Sequence, residues 1–240
     1  MLFPLGDDNQ GRHLTPYVVY ALIAINVLVF LLQMTIGDPF TNAWAMVPFE
    51  ITNGTDLTSP MRVDAGGQSA VLQHYPGPVP IYLTLLSSMF MHGSLLHIGG
   101  NMLYLWIFGD QIEDLLGHVK FVIFYLVCGF AADAAHIVSS PESAIPTLGA
   151  SGAIAGVLGA YLVKYPRNSV RVLVFRVVTA LPAIVVLGLW FVLQFVSQLS
   201  MGTGETGVAY WAHIGGFVAG MALVFLFAGG RKPQPATVGK

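Results

Sequence analysis

The stretch GVAYWAHIGGFVAG, residues 207–220, decides the fold because it joins an apolar helical pattern to glycines four residues apart. Gly216 and Gly220 form a small-xxx-small face, which lets two helix backbones approach closely inside a membrane. His213 precedes Gly216 by three residues and therefore lies on the same face of the helix. The stretch predicts a membrane helix that packs tightly against a neighbour and carries a histidine at that contact.

A second stretch, LGASGAIAG at residues 148–156, carries a matching face made by Gly152 and Gly156. Ser151 directly precedes Gly152. Contact between the two glycine faces would bring the Ser151 hydroxyl and the His213 imidazole within reach of one another. This helix is short and rich in small residues, so we expect its neighbours to shield it from lipid.

The composition indicates a protein that is surrounded by lipid over most of its surface. Of the 240 residues, 55% are hydrophobic and only 9% are charged, whereas soluble domains carry charge on roughly a quarter of their residues. A membrane helix needs about 20 mostly apolar residues to cross a hydrocarbon core of roughly 30 Å. We therefore predict an all-α fold, a polytopic bundle of six transmembrane helices. The predicted spans are residues 17–36, 94–112, 119–139, 149–165, 172–199 and 207–228.

The lysine and arginine residues indicate the orientation, because basic residues collect in cytoplasmic loops. With six spans, both termini and the loops after spans two and four share one side of the membrane. Only Arg62 falls on the other side, so we expect both termini in the cytoplasm. The basic residues on the shared side are Arg12, Lys120, Lys164, Arg167, Arg171, Arg176, Arg231, Lys232 and Lys240.

The predicted core of residues 17–228 contains one long outer loop and is flanked by two terminal segments. Residues 1–16 form a cytoplasmic N-terminal segment without the cleavage site of a secretory signal, so the first span is expected to be retained. Residues 37–93 form a long outer loop with the apolar runs AWAMVPFEI and YPGPVPIYLTLLSSMF. We expect that loop to be structured and to lie partly in the outer leaflet, with a disordered loop as the alternative. Residues 229–240 are expected to form a basic cytoplasmic tail.

A small set of polar side chains is predicted to lie at membrane depth, where a polar group without a partner costs a few kcal/mol. His97 and Asn101 are one helical turn apart on span two. Ser151 is in the first turn of span four, and His213 is about two turns into span six. The orientation places all four in the outer half of the membrane, at depths that agree within about one turn at 1.5 Å per residue. We therefore expect them to meet in one site.

A serine and a histidine in one site indicate acyl-transfer chemistry. The Ser151 hydroxyl needs a base to take its proton, and a neutral His213 imidazole suits that role near neutral pH. The Asn101 amide, the His97 ring and the backbone N–H of Ser151 can stabilise an oxyanion. No intramembrane acid is placed to form a third member, so we predict a Ser–His dyad that uses no metal and no cofactor.

Each of these polar residues also has a structural interpretation that the sequence leaves open. Ser151 can be a packing residue of the glycine face, and Asn101 can join helices by hydrogen bonds. His92 falls at the membrane interface, where we expect a solvated side chain that can hydrate or gate the site. Asp133 and His136 are one turn apart on span three, and we expect them to pair with each other or with the outer loop.

At these residues the sequence resembles the rhomboid family of intramembrane serine proteases, in its bacterial form. The matching elements are HxxxN at residues 97–101, GxSG at residues 149–152 and AHxxGxxxG at residues 212–220. They occur in that order on spans two, four and six. The sequence departs from the family in two places, because the outer loop lacks the Trp-Arg pair of some members and Ala155 replaces an aromatic residue that packs on the catalytic imidazole in others.

The resemblance implies a role for each matching residue. Ser151 would be the nucleophile and His213 the general base, with Asn101, His97 and Gly149 as oxyanion and substrate-binding residues. It also implies that water enters from the outer face and that a substrate helix enters laterally near span five. The expected partners are single-span transmembrane substrates and membrane lipid, in a bacterial inner membrane.

Other classes of protein fit the sequence less well. A catalytically inactive rhomboid-like escort protein normally lacks the serine or the histidine, and both are present here. A channel or transporter would carry polar residues along a path to both faces, whereas these cluster on one side. Zinc and aspartyl intramembrane proteases need an HExxH motif or two facing aspartates, which the sequence lacks. A net charge of −2 argues against a nucleic-acid partner, and the oligomeric state stays open.

Overall fold

The computed structural model describes residues 2–9, 11–65, 68–201 and 208–231, where the chain is mostly helical with two small antiparallel sheets. The predicted tail after residue 231, with Lys232 and Lys240, lies outside the described residues. The helices are α1 (Tyr17–Ile36), α2 (Asp38–Trp44), α3 (Pro48–Asn53), α4 (Thr84–Ser87), α5 (Leu95–Leu116), α6 (His118–Ser139), α7 (Ser151–Lys164), α8 (Ala183–Met201) and α9 (Tyr210–Ala228). The strands are β1 (Leu2–Asp7), β2 (Met61–Ala65), β3 (Gln68–Leu72), β4 (Ser169–Val174) and β5 (Val177–Pro182).

Among the described helices, α1, α6, α8 and α9 are long and apolar enough to cross a membrane. The segment Ile81–Phe90 and α5 form an apolar pair bent by 76°, which adds a fifth crossing if the pair is one span. Helix α7 is apolar but has only 14 residues. The chain is therefore a multi-pass membrane protein with a mostly helical fold, as the sequence predicts.

The predicted fifth span is wrong at its start, because α8 begins at Ala183 and not near residue 172. Residues 169–182 form the antiparallel β4–β5 hairpin, with a turn at Phe175, whose φ is 55°. Valines dominate this segment, and β-branched residues favour strands. Arg171 and Arg176 also lie in it, and charged side chains are costly at membrane depth. The apolar run from 172 to 182 therefore belongs to a hairpin at the end of the bundle.

A three-stranded sheet in the order β1-β4-β5 corrects the prediction of an all-α protein. Its first strand comes from the predicted N-terminal segment, and β1 pairs antiparallel to β4. Because β1 precedes α1 and the hairpin joins α7 to α8, this sheet marks one end of the bundle, which we name the sheet end. Residues 37–93 connect α1 to α5 at the opposite end, which we name the loop end.

The long connection at the loop end is structured, as its apolar runs lead us to expect. It contains α2, α3, the β2–β3 hairpin and α4. Met46 and Val47 are buried, and Met46 forms a backbone bridge with Thr147. The connection is thereby joined to the segment that leads into α7. Its position relative to lipid stays a prediction.

Helix α7 is the central helix, and residues 152–161 are all buried. The most extensive contact between described helices joins α7 to α9. At this contact a methyl group on Gly216 would overlap the carbonyl oxygen of Gly152, and one on Gly220 would overlap that of Gly156. The two glycine faces therefore meet backbone to backbone. The short helix is shielded by its neighbours, as its composition indicates.

Carboxylates at the end of α5 hold the start of α1. Glu113 is fully buried and accepts hydrogen bonds from the backbone N–H groups of Val18 at 2.9 Å and Val19 at 2.8 Å. These groups lie in the first turn of α1, where backbone donors lack partners within the helix. Arg12 and Asp110 form an ion pair at 2.7 Å. These bonds fix α1 to α5 at the sheet end.

Asp7 of β1 reaches the far end of α7. The Tyr161 hydroxyl donates to Asp7 Oδ2 at 2.6 Å, and Asn168 Nδ2 donates to the same hydroxyl oxygen at 3.2 Å. Burial raises the pKa of Asp7 to about 7, although the bond from Tyr161 acts in the opposite direction. The sheet is therefore joined to the central helix through a carboxyl group that titrates near neutrality.

Candidate active site

Ser151 is the first residue of α7 and lies at the loop end of the bundle. Two residues earlier, Gly149 has φ of +132°, and its N–H donates to the Ser88 carbonyl at 2.8 Å. A methyl group on Gly149 would lie 2.8 Å from His97 Nε2. Glycine is therefore required both by the backbone conformation and by the imidazole beside it. The turn places Ser151 at the start of the helix, next to α5.

His213 lies in the first turn of α9, nearer the start of the helix than its predicted depth of two turns. Its Nε2 atom is 2.8 Å from Ser151 Oγ. Gly152 follows the serine directly and Gly216 follows the histidine by three residues, so the backbone contact between α7 and α9 sets this distance. The structure brings the two predicted residues together at hydrogen-bond distance.

Gln194 of α8 is a site residue that the sequence reasoning missed. Its Oε1 atom lies 2.8 Å from His213 Nδ1, on the side of the ring opposite Ser151. The rings of Trp190 and Tyr210 also lie near the imidazole, with centroids 6.0 Å and 6.4 Å away. The signal was an amide in a predominantly apolar span, because a polar side chain at membrane depth is a functional candidate. The sequence offered no acid as a partner for the His213 ring, and the structure shows that the Gln194 amide is this partner.

His97 and Asn101 lie on neighbouring turns of α5 and face the start of α7, as their spacing predicts. The Asn101 side-chain nitrogen is 2.9 Å from His92 Nε2. The prediction of a solvated His92 is wrong, because this side chain is only 2% exposed. The Gln33 side chain holds its backbone, accepting from the His92 N–H at 2.9 Å and donating to the His92 carbonyl at 3.1 Å. His92 therefore supports Asn101 from inside the fold.

Asp133 and His136 are not joined by a hydrogen bond in the described part of the chain. His136 Nε2 is 2.9 Å from Thr147 Oγ1, and Thr147 is the residue that bridges to Met46 of the outer loop. Asp133 is buried, and its Oδ2 atom has no hydrogen-bond partner among the described residues. The predicted pairing between the two is therefore wrong, while His136 joins the segment to which the loop is attached.

A cavity of about 580 Å³ opens between α5, α6, α7, α8 and α9. The predicted site residues all line it, together with Trp190, Gln194 and Asp133. The predicted set is Ser151, His213, Asn101, His97 and Gly149. The five residues come from three helices and one turn, and the fold brings them to a single concave site.

The chemistry of this cavity follows from the atoms that line it. A hydroxyl at hydrogen-bond distance from an imidazole can become a nucleophile when the imidazole takes its proton. The start of a helix presents backbone N–H groups without partners, and side-chain donors nearby can share an oxygen that becomes negatively charged. A hydroxyl, a base and such donors in one cavity suit acyl transfer.

Comparison with known proteins identifies the family. A rhomboid domain matches residues 81–230, which is more than half of the chain. The rhomboid protease GluP of Bacillus subtilis is 29% identical over 225 residues, which cover 94% of this chain and 37% of GluP. RHOMBOID-like protein 4 of Arabidopsis thaliana is 27% identical over 228 residues, 91% of this chain and 54% of that protein. The mitochondrial presenilin-associated rhomboid-like protein of Mus musculus is 33% identical over 144 residues, 57% of this chain and 36% of that protein.

The chain spans between 36% and 54% of the length of these relatives. The matched region includes α5 to α9 and hence every residue of the cavity. The family comprises intramembrane proteases and rhomboid-like proteins without protease activity. Membership therefore supports one of these two functions for this chain. The three ordered motifs, the helical membrane fold and the matching domain show that this chain is a member of the rhomboid family.

Proposed function

We propose that this protein is an intramembrane serine endopeptidase that hydrolyses peptide bonds in or near the transmembrane segments of other membrane proteins. The observation that carries the proposal is the 2.8 Å distance between Ser151 Oγ and His213 Nε2 inside a cavity of the helical bundle. A serine that only packs helices together does not need an imidazole as acceptor. An imidazole at membrane depth is energetically costly, so it is a functional candidate by default. The proposal assigns Ser151 as nucleophile and His213 as general base.

The first half of the reaction forms an acyl-enzyme. His213 Nε2 takes the hydroxyl proton while Ser151 Oγ attacks the substrate carbonyl carbon, and the carbonyl oxygen becomes an oxyanion. His213 then returns the proton to the nitrogen of the leaving peptide, and the C–N bond breaks. In the second half, water attacks the ester, His213 takes the water proton, and the same proton goes to Ser151 Oγ as the carboxylic acid product leaves.

The oxyanion is assigned to donors on two helices. The backbone N–H of Ser151, the Asn101 amide and the His97 ring lie around the same part of the cavity. The Asn101 side-chain nitrogen donates one amide hydrogen to His92 Nε2, which fixes the side chain and leaves the second amide hydrogen for the substrate. Removal of one oxyanion donor generally lowers the turnover rate by about 10² to 10³. Gly149 leaves room for His97 beside the nucleophile.

The membrane arrangement forms part of the proposal. Six helices cross the bilayer, with α5 as the second crossing and the short, shielded α7 as the fourth. The sheet end carries Arg12, Arg167, Arg171 and Arg176, so we assign it to the cytoplasm of a bacterial cell under the rule that basic residues stay inside. The cavity then opens in the half of the membrane farther from the cytoplasm. Single-span substrates would enter from the lipid beside α8.

The test uses the purified protein in lipid vesicles with a fluorescently labelled single-span substrate. Wild-type protein is expected to cleave it, and Ser151→Ala and His213→Ala are each expected to lose cleavage. Ser200→Ala is the matched control, because Ser200 is exposed on α8 and, among the described residues, its hydroxyl bonds to the Val196 carbonyl alone, so it should cleave at the wild-type rate. Equal cleavage by all four proteins would contradict the proposal. Binding of substrate by wild-type protein without cleavage would assign it instead to the inactive escort proteins of the family.

A further inference from the structure

The contact between Gln194 and His213 is the least expected feature of the cavity. Helix α8 is predominantly apolar, and Gln194 is half-buried there with its Oε1 atom 2.8 Å from His213 Nδ1. A side-chain amide in an apolar environment is unfavourable unless it is hydrogen-bonded. The bond to the imidazole supplies that partner, and it also uses the one ring nitrogen that does not face Ser151.

The two ring contacts together determine where the imidazole proton resides. A neutral imidazole has one N–H donor and one acceptor nitrogen. Nε2 must be the acceptor if it is to take the hydroxyl proton of Ser151, so Nδ1 must carry the hydrogen. The Gln194 carbonyl oxygen at 2.8 Å is an acceptor for that hydrogen. In the opposite tautomer an N–H group would point at the hydroxyl, and the histidine could not act as a base.

The two aromatic side chains described beside the ring do not take this role. Trp190 and Tyr210 contact the imidazole through their ring systems, at 6.0 Å and 6.4 Å between centroids. They restrict how far the ring can swing but do not select a tautomer. Ala155 stands where some members of the family have an aromatic residue, and a methyl side chain cannot hold the ring. An acceptor on α8 is therefore the feature that fixes both the orientation and the tautomer.

We infer that Gln194 is the positioning residue of the general base: its carbonyl oxygen accepts the Nδ1 hydrogen of His213 and leaves Nε2 free to take the proton of Ser151. The inference rests on the proposed protease function. The imidazolium that forms during the reaction keeps the same bond, now as a charge-assisted one, which is stronger than its neutral counterpart. A neutral amide thus occupies the place of the acid in a Ser-His-Asp triad, as an asparagine does in some cysteine proteases.

The experiment compares wild-type protein with Gln194→Met, Gln194→Glu and Gln198→Met. Methionine matches glutamine in length but cannot accept the Nδ1 hydrogen at this strength, so kcat is expected to fall by about 10²-fold with KM unchanged. Gln194→Glu restores an acceptor oxygen and should recover most of the lost kcat. Gln198→Met is the matched control, because Gln198 lies one turn along α8 and makes no hydrogen bond with a described residue; it should retain wild-type kcat.

A second readout does not depend on catalysis. The nitrogen chemical shifts of the labelled His213 ring report which nitrogen carries the hydrogen. Wild-type protein and Gln198→Met should show the Nδ1–H tautomer, whereas Gln194→Met should show a mixture. Active wild-type protein together with unchanged kcat and an unchanged tautomer in Gln194→Met would overturn the inference and leave the proposed function intact. Inactive wild-type protein with a tautomer that changes in Gln194→Met would instead remove the protease function and retain the assigned bond.

Discussion

Replacement of Gly216 by alanine tests the helix contact that sets the site. The added methyl group would overlap the carbonyl oxygen of Gly152 and would lie 3.3 Å from the Ala132 side chain. Relief of the overlap requires α7 and α9 to separate by about 1 Å, because a methyl group and an oxygen cannot approach much closer than van der Waals distance. His213 is one turn from Gly216, so the separation acts directly on the imidazole.

The size of the effect follows from the geometry. Overpacking of a close helix contact lowers the free energy of unfolding by about 1–3 kcal/mol. Separation of the helices would lengthen the present 2.8 Å distance between Ser151 Oγ and His213 Nε2 beyond hydrogen-bond range. Since a displacement of 1 Å in a catalytic group costs roughly 10²-fold in rate, kcat/KM is expected to fall by about that factor even where the protein remains folded.

The assay pairs the rate of fluorophosphonate labelling with thermal unfolding in detergent micelles. Gly188→Ala is the matched control, since a methyl group there would have no described atom within 4 Å beyond its own turn of helix, and both its labelling rate and its unfolding should resemble wild type. Gly216→Ala should label about 10²-fold more slowly and unfold at a lower temperature. A Gly216→Ala variant with the labelling rate and stability of wild type would refute direct backbone contact between α7 and α9.

Three further predictions concern other parts of the molecule. Asn101→Ala should lower kcat by about 10² to 10³ with little change in KM, measured by steady-state cleavage in vesicles, because it removes a donor to the transition state. Burial raises the pKa of Asp7 to about 7, well above its value in an unfolded chain, so the folded state holds this proton more tightly. The free energy of unfolding should therefore fall as pH rises from about 5 to 8. Thermal unfolding across that range should show a smaller decline in Asp7→Asn. Glu113→Ala leaves the amides of Val18 and Val19 without their acceptor and should lower the free energy of unfolding by about 2–5 kcal/mol, measured by chemical denaturation in micelles, whereas Glu113→Gln should lose less.

Much of the bundle is predictable because apolar length is a direct consequence of bilayer thickness. The first span, residues 17–36, coincides with α1, and the starts or ends of the second, third and sixth predicted spans differ from the helices by only a few residues. The fifth failed because a valine-rich hairpin and a membrane helix have similar composition over ten residues. Their periodicities differ, but a short apolar run does not show which one applies.

The site was predictable to the extent that its residues lie on regular helices. Spacing along α5 gave His97 and Asn101 a common face, and the glycine patterns related Ser151 to His213. The burial of His92 could not be read from the sequence, because it depends on Gln33, which is 59 residues away. Local patterns carry no information about such a contact.

The junction between β5 and α8 determines how a tilt of α8 would affect the candidate active site. Strand β5 ends at Pro182 and α8 begins at Ala183. The Ala183 N–H donates to the Asn168 carbonyl at 2.9 Å, so the first residue of the helix is held in place. Gln194 lies about 16 Å along α8 at 1.5 Å per residue, and a tilt of the helix by roughly 5° about Ala183 would move Gln194 by about 1.4 Å. A swing that small breaks a 2.8 Å hydrogen bond. If a substrate enters from the lipid by tilting α8, as proposed above, the amide loses its bond to the imidazole during entry, and the bond forms again only when α8 has returned.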